Sequence, residues 1–358
     1  MEGGTDALGA QRPISFMAAE ALRLALAACG QFPGPSPRES EDPDGFESRV
    51  RSALSPTASS ALERDGWCEV DGLLGNSLAS SLAAEIRWLG AKGLVIPNRS
   101  YFGPTLVTKP GVSEMDLDVA AVRSRVPACA ALRLSHAPRL ASALADACPF
   151  LGVDLGRDES VTVKVQVNDG HGGCFPLHFD NAGPPSKRAV TCLCYLNAGW
   201  AEGDGGELEL LPFLSRDPVA VQPRMDHWCI FRSDRVLHRT RPALRERLCF
   251  TVWIDGVSTN AEDDVVLRAP PQDADQATFL AAAERIALGP LQRSVSRALY
   301  ADAYAQSLRE GLAGGDPAVL EACLATHAKA VSDLVRVDGV QRLLDALRSL
   351  TDKTNKGP

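Results

Sequence analysis

A mainly β core, either a sandwich or a jelly-roll barrel, with helices before and after it, is the fold class predicted by this sequence of 358 residues. Three observations carry the prediction. Between Val161 and Ile254, short β-rich runs alternate with Gly, Pro, Asp and Asn turns, the density expected of an all-β barrel or sandwich. Ahead of them, Leu78, Leu82, Ile86 and Leu89 recur at helical spacing. From Asp273 onward, Ala/Leu-rich helical patterns return.

In chain order, Phe16 to Cys29 reads as a short Ala/Leu helix, and Gly30 to Glu47 as a flexible Pro/Gly/Ser/acidic tract. Residues 1–57 are therefore expected to form a leader or linker. Ala61 to Arg64 reads as a helix end running into a strand at Gly66 to Val70, and Ser77 to Leu94 as an amphipathic helix. Residues 77–150 are expected to be helical support for a barrel over 160–255, and 58–258 to form one domain. Within the barrel, Val161, Val163, Val165 and Val167 alternate strictly. Further strands are predicted at Ala189–Leu196, Glu207–Leu211, Val219–Val221, Trp228–Phe231 and Leu248–Ile254. Helices are predicted over Ala277–Ile286, Leu291–Gly311, Pro317–Val331 and Val340–Leu350, giving a helical region over 270–352. That region carries no chemical motif of its own; bracing the barrel, dimerising or binding a partner are its expected roles.

The chemistry-bearing pattern is His178-Phe179-Asp180, followed by His238 58 residues after Asp180 and by Arg247 on the last strand. Alternation along an extended chain points His178 and Asp180 to one face. A distant strand must then supply His238. Two imidazoles and one carboxylate can hold a single Fe(II) and leave its opposite positions open, so non-haem iron oxygenase chemistry is expected. On the last strand Arg247, Cys249, Thr251 and Trp253 share a face, and Tyr195 shares one with Leu193 and Thr191. Arg247, Tyr195 and Thr251 can thus all face inward, where a planar guanidinium would grip a carboxylate bidentately. Arg241 and Arg245 are nearby competitors for that role. His171 is expected in a surface loop, His227 to be structural, and His136 and His327 to be exposed or satisfied on helices.

Bulk properties exclude several classes. A net charge of −8 and a pI near 5.4 argue against nucleic-acid or anionic-membrane binding. No apolar run approaches a transmembrane span, and the first residues lack the basic start of a secretory signal. The 10 cysteines show no paired spacing, so free thiols in a reducing compartment are expected. A cytoplasmic or nuclear location follows.

Asn168-Asp169-Gly170-His171-Gly172-Gly173-Cys174-Phe175-Pro176-Leu177-His178-Phe179-Asp180 resembles, without a gap, the iron-site segment of protein prolyl 4-hydroxylases. That segment typically reads Asn-Tyr-Gly-x-Gly-Gly-x-Tyr-x-x-His-x-Asp. Val190 to Asn197, Trp200 and Gly205-Gly206-Glu207-Leu208 are similar to the strands that follow in the same family. The stretch from His238 to Arg247, then Thr251-Val252-Trp253, resembles the oxygen-sensing branch, the prolyl hydroxylases that act on hypoxia-inducible factors. In that branch an Arg nine positions after the His grips 2-oxoglutarate, and Arg247 is nine after His238; collagen-type enzymes use Lys.

The resemblance spans roughly Ala58 to Gly256. It implies a double-stranded β-helix (jelly-roll) fold with His178, Asp180 and His238 on iron, and Arg247, Tyr195 and Thr251 on 2-oxoglutarate. O2 is the implied co-substrate and ascorbate a candidate accessory. It also implies a substrate channel beside Trp253 and a prolyl residue of a protein or peptide as the target. Asp169 stands where the family has a Tyr that commonly contacts the cosubstrate, so Asp169 is placed at the channel too, with the glycines bending the loop over the metal mouth. The alternatives are the same oxygenase chemistry on another side chain or a small molecule, or a non-catalytic barrel acting in protein interaction.

Overall fold

In a computed structural model of the chain, the described residues are 22, 24–34, 43–215, 217–257 and 266–354. Two antiparallel sheets face each other. The larger has seven strands in the order β1-β9-β6-β11-β4-β3-β2, the smaller four in the order β5-β10-β7-β8. The strands are β1 (Trp67–Asp71), β2 (Ile96–Phe102), β3 (Thr105–Asp116), β4 (Val161–Asn168), β5 (Phe175–His178), β6 (Arg188–Tyr195), β7 (Leu208–Leu211), β8 (Val219–Val221), β9 (His227–Arg232), β10 (Leu237–Thr240) and β11 (Arg247–Asp255). This is the mainly β, jelly-roll core that the sequence predicts.

Alternation decides which face of each strand is apolar. Val161, Val163 and Val165 of β4, Val190, Cys192 and Cys194 of β6, and Leu248, Phe250, Val252 and Ile254 of β11 all turn away from the barrel interior. There they meet α1 (Pro43–Ala53), α2 (Pro56–Arg64), α3 (Asn76–Ala91) and α6 (Ala137–Ala147) in one continuous core. Two short helices, α4 (Ala120–Arg123) and α5 (Pro127–Ala131), connect α3 and β3 to α6. Glu85 of α3 is fully buried because its carboxylate accepts the Ala128 and Cys129 amides, each at 2.8 Å, at the start of α5.

Past the barrel come α7 (Gln276–Leu288), α8 (Gln292–Leu299), α9 (Ala301–Gly311), α10 (Pro317–Val335) and α11 (Val340–Thr354). Asp275 and Asp316 cap α7 and α10 through the Thr278 and Ala318 amides. Helix α9 lies on the outer side of the small sheet, where Leu177, Phe179, Leu237 and Tyr304 form one apolar cluster. Among the alternatives for the helical region, its packing on the barrel is what the fold displays.

Four expectations need correction. Residues 77–150 are not purely helical support, since β2 and β3 form a hairpin there. The β-branched and aromatic run on both sides of Gly103-Pro104 is its signal. The leader does not extend to residue 57. Phe46 and Val50 of α1 are 1% and 0% exposed, so the chain joins the core from Pro43, while much of the predicted helix Phe16–Cys29 lies outside the described residues. The predicted helix Leu291–Gly311 is broken at Tyr300, where φ −114° and ψ 37° leave the helical region. Finally, the glycine loop does not cover the metal mouth. Gly170 (φ +81°) packs against the Arg245 backbone, which an added Cβ would meet at 2.6 Å.

Candidate metal centre and its cavity

His178 ends β5 and lies directly opposite His238 of β10 in the antiparallel register. Their neighbours Leu177 and Leu237 turn outward into the apolar contact with α9, so alternation turns both imidazoles inward, with ring centroids 4.3 Å apart. Asp180, two residues beyond His178, returns to the same side just past the end of the strand. One ligand atom from each of the three lies within 4.8 Å of the others, the only such group of metal-binding side chains among the described residues.

Both imidazoles are oriented from behind. The His178 Nδ1 lies 2.8 Å from the Pro176 carbonyl and the His238 Nδ1 3.0 Å from that of Val236. Donation of the Nδ1 proton to these carbonyls leaves each Nε2 lone pair facing the cavity, the tautomer a metal requires. Asp180 is divided by its two oxygens. Oδ2 accepts from Thr191 Oγ1 at 2.7 Å and from Trp253 Nε1 at 3.0 Å; Oδ1 faces His178 Nε2 at 3.5 Å and His238 Nε2 at 3.9 Å.

Burial works against the Asp180 charge, but the His178 hydrogen bond and the charges of His238, His178 and Arg188 hold its carboxyl well below the usual range. Burial, reinforced by His178, pushes His238 down to about 4, with Asp180 opposing. One carboxylate and two imidazoles therefore converge, a donor set that a divalent metal takes.

A cavity of about 810 Å³ opens over this group. Its walls come from the barrel interior, the β2–β3 hairpin and, through Arg293, Arg297 and Tyr304, the C-terminal helices. Thr251 and Trp253 line it, as the strand parity predicts. Arg247 and Tyr195 do not; they lie in the deeper interior with Cys249, Leu193 and Leu208 nearby. The Arg247 guanidinium donates to the Gly206 carbonyl at 2.7 Å and to Cys249 Sγ at 3.2 Å, and sits 5.0 Å from the Tyr195 ring centre. It pairs with no carboxylate among the described residues, and the buried Tyr195 hydroxyl has no hydrogen-bond partner within bonding geometry. A buried permanent cation thus lies beside the Tyr195 ring with no carboxylate paired to it among the described residues.

The competing arginines are occupied: Arg241 pairs with Glu209 at 2.5 Å and Arg245 with Asp204 at 3.0 Å. His171 is exposed. His227 bridges Glu69 and Asp71, His136 bonds the Ala131 carbonyl, and His327 bonds that of Ala301. Asp169 is a correction. It is absent from the cavity wall and half exposed, because its carboxylate turns back to accept the His171 amide and lies against Gly111. Sequence reading missed Lys109 and Lys164, and it missed Arg293 and Arg297, which reach the cavity only through the hairpin and helix packing. The Asp180-holding role of Thr191 and Trp253 was also missed, although their inward parity was a usable signal.

Residues 163–255 match the family model described as the 2OG-Fe(II) oxygenase superfamily. A solved prolyl 4-hydroxylase from Phytophthora capsici is 36% identical, with a TM-score of 0.74, covering 90% of this chain and 100% of that one. Egl nine homolog 1 of Homo sapiens is 27% identical over 200 residues, which are 54% of this chain and 44% of the relative. The hypoxia-inducible factor prolyl hydroxylase of Caenorhabditis elegans is 27% identical over 229 residues, 60% of this chain and 30% of the relative. The chain spans about half, or less, of the length of these two curated relatives. It belongs to the 2OG-Fe(II) oxygenase superfamily, and its donor set and buried cation suit the metal and the dicarboxylate that define that family. No helix among the described residues is long and apolar enough to cross a membrane.

Proposed function

We propose that this protein is a 2-oxoglutarate- and Fe(II)-dependent dioxygenase that hydroxylates prolyl residues of a protein substrate with O2, releasing succinate and CO2. The observation that carries the reading is the triad of His178, Asp180 and His238, pre-oriented by its outer hydrogen bonds in the wall of the cavity. The 36% identity to a prolyl 4-hydroxylase over that enzyme's whole length supports the prolyl target.

In this reading His178, Asp180 and His238 hold the iron. Arg247 anchors the far carboxylate of 2-oxoglutarate, with Tyr195 and Thr251 as hydrogen-bonding partners. When bound, Fe(II) and 2-oxoglutarate supply the oxidising chemistry for C–H hydroxylation. The chain's own residues bind, orient and exclude water. The Pro176 and Val236 carbonyls fix the imidazole tautomers, while Thr191 and Trp253 keep Asp180 Oδ1 turned to the metal. Phe231 and Leu208 form apolar parts of the wall. The likeness to hypoxia-inducible factor hydroxylases supports an oxygen-responsive role in the cytoplasm or nucleus, with ascorbate sustaining turnover. A second role for the helical region, in dimerisation or partner binding, would use its outer surface.

The test is succinate formation from 2-oxoglutarate. His238→Ala and Asp180→Ala should each abolish it, together with iron binding measured by calorimetry. Full turnover by either variant overturns the assignment.

A further inference from the structure

Cys249 is placed unlike Cys192 and Cys194, its neighbours on β6. Those two turn outward into the apolar core against the helices. Cys249, on β11, turns inward and meets two polar side chains. Its sulfur accepts from Arg247 Nη1 at 3.2 Å, and its thiol donates to Gln166 Oε1 at 3.3 Å. Burial raises the thiol pKa, with Arg247 opposing, so the proton needed for the second bond is retained. Strand register builds this arrangement. Cys249 lies opposite Gln166 on β4 and opposite Tyr195 on β6, and side chains opposite one another across a sheet share a face. One row across three strands therefore carries an amide, a thiol and a phenol.

Arg247, two residues before Cys249, shares that face. Its guanidinium is held at two points, with Nε donating to the Gly206 carbonyl at 2.7 Å and Nη1 to the Cys249 sulfur. Gly206 approaches this closely because it has no side chain; at φ +77° an added Cβ would lie 2.7 Å from Arg247 Cδ. A planar group fixed at two of its nitrogens has its plane set, whereas one fixed at Nε alone can swing about that bond. The other N–H donors of the guanidinium are thereby presented in one orientation. The sulfur is itself steadied by Gln166, a residue of the cavity wall.

We propose that Cys249 is a positioning residue for Arg247: its thiol, tied to Gln166, fixes the plane in which the guanidinium receives the far carboxylate of 2-oxoglutarate. This rests on the reading of Arg247 as the cosubstrate anchor. A hydroxyl at position 249 can replace the thiol in both bonds, whereas a hydrocarbon side chain can replace it in neither.

The experiment titrates 2-oxoglutarate into the full-length, Fe(II)-loaded protein under nitrogen and reads the affinity by calorimetry. Iron affinity is measured in parallel. Cys249→Ala and Cys249→Val should each weaken 2-oxoglutarate binding about fivefold, the scale of one hydrogen bond, with iron affinity unchanged. Cys249→Ser should stay within about twofold of the wild type, although its side chain fills the site no better than valine does. Gln166→Leu leaves the sulfur in place and should weaken binding about threefold, which keeps the inference testable if a Cys249 variant does not fold. Wild-type affinity in the Ala and Val variants, a Ser variant as weak as Ala, or an equal loss of iron affinity each overturn the inference. An Arg247→Gln variant that binds 2-oxoglutarate as tightly as the wild type overturns the anchor reading, and the inference with it.

Discussion

The two sheets of the barrel divide the candidate site between them. His178 and His238 stand on the four-stranded sheet, with Asp180 directly after its edge strand, whereas Tyr195, Arg247 and Thr251 stand on the seven-stranded one. Their outer coverings differ in kind. The larger sheet is sealed against α1 to α6 by a broad apolar core, which tolerates rearrangement because it is non-directional. The smaller is held by specific contacts. Arg239, next to His238, joins Glu209 at 2.6 Å to Glu310 of α9 at 2.7 Å. The Leu177 amide, next to His178, donates to Ser307 Oγ at 3.0 Å. Gly311 approaches Pro176 so closely that an added Cβ would lie 2.6 Å from its Cγ. The lesson is that the Arg247 end rests on bulk packing, while the His178–His238 end depends on directional contacts to the C-terminal helices.

Arg247→Gln should separate the two sheets most sharply. Losing a buried charge-assisted pair costs about 1.5–3 kcal/mol, so the KM for 2-oxoglutarate should rise roughly 10–100-fold while calorimetric iron affinity holds. An equal fall in iron affinity would break the division. Thr191→Val probes the shorter of the two hydrogen bonds that cross from the larger sheet to Asp180, the other coming from Trp253. Removing a metal ligand's outer partner typically weakens metal affinity about 10-fold or more, and an unchanged iron isotherm would show that Trp253 alone suffices.

Gly311→Ala tests the brace. Overpacking against Pro176 should cost about 1–3 kcal/mol in urea unfolding, and iron affinity should fall while 2-oxoglutarate affinity in the remaining holoenzyme holds. The smallest effect is expected at His227, on the edge pair β1–β9. Burial opposes its charge, but Glu69 and Asp71 outweigh it and raise its pKa above the ordinary value. The clamp is then fully present below the unfolded-state pKa of about 6.5, and fades as pH rises through the folded one. His227→Gln should therefore lower the melting temperature at pH 6 more than at pH 9; an equal loss at both would remove the charge from the explanation.

Much of the site was legible because its signals are local. The H-x-D spacing, the inward parity of Thr251 and Trp253, and the outward parity of Phe250 and Val252 follow from the two-residue period of a strand. Where the reading failed, the deciding contacts were long-range or buried. Asp169 turned outward because of its own loop and Gly111, 58 residues upstream in sequence. The hairpin was overlooked because Pro97 and Gly103-Pro104 interrupt its alternation. The part that Lys109 and Arg297 play in the cavity wall was invisible because they belong to elements read as support and appendage.

By itself, then, the sequence determined a β barrel carrying two histidines, one carboxylate and an inward-facing arginine. Donor chemistry and strand periodicity are properties of neighbouring residues. Only the tertiary structure decided that Arg241 and Arg245 are engaged elsewhere, that Arg247 is left without a carboxylate among the described residues, and that hairpin and C-terminal helices line the cavity beside the triad. Those outcomes depend on which side chains meet across the fold, and packing of distant segments sets that.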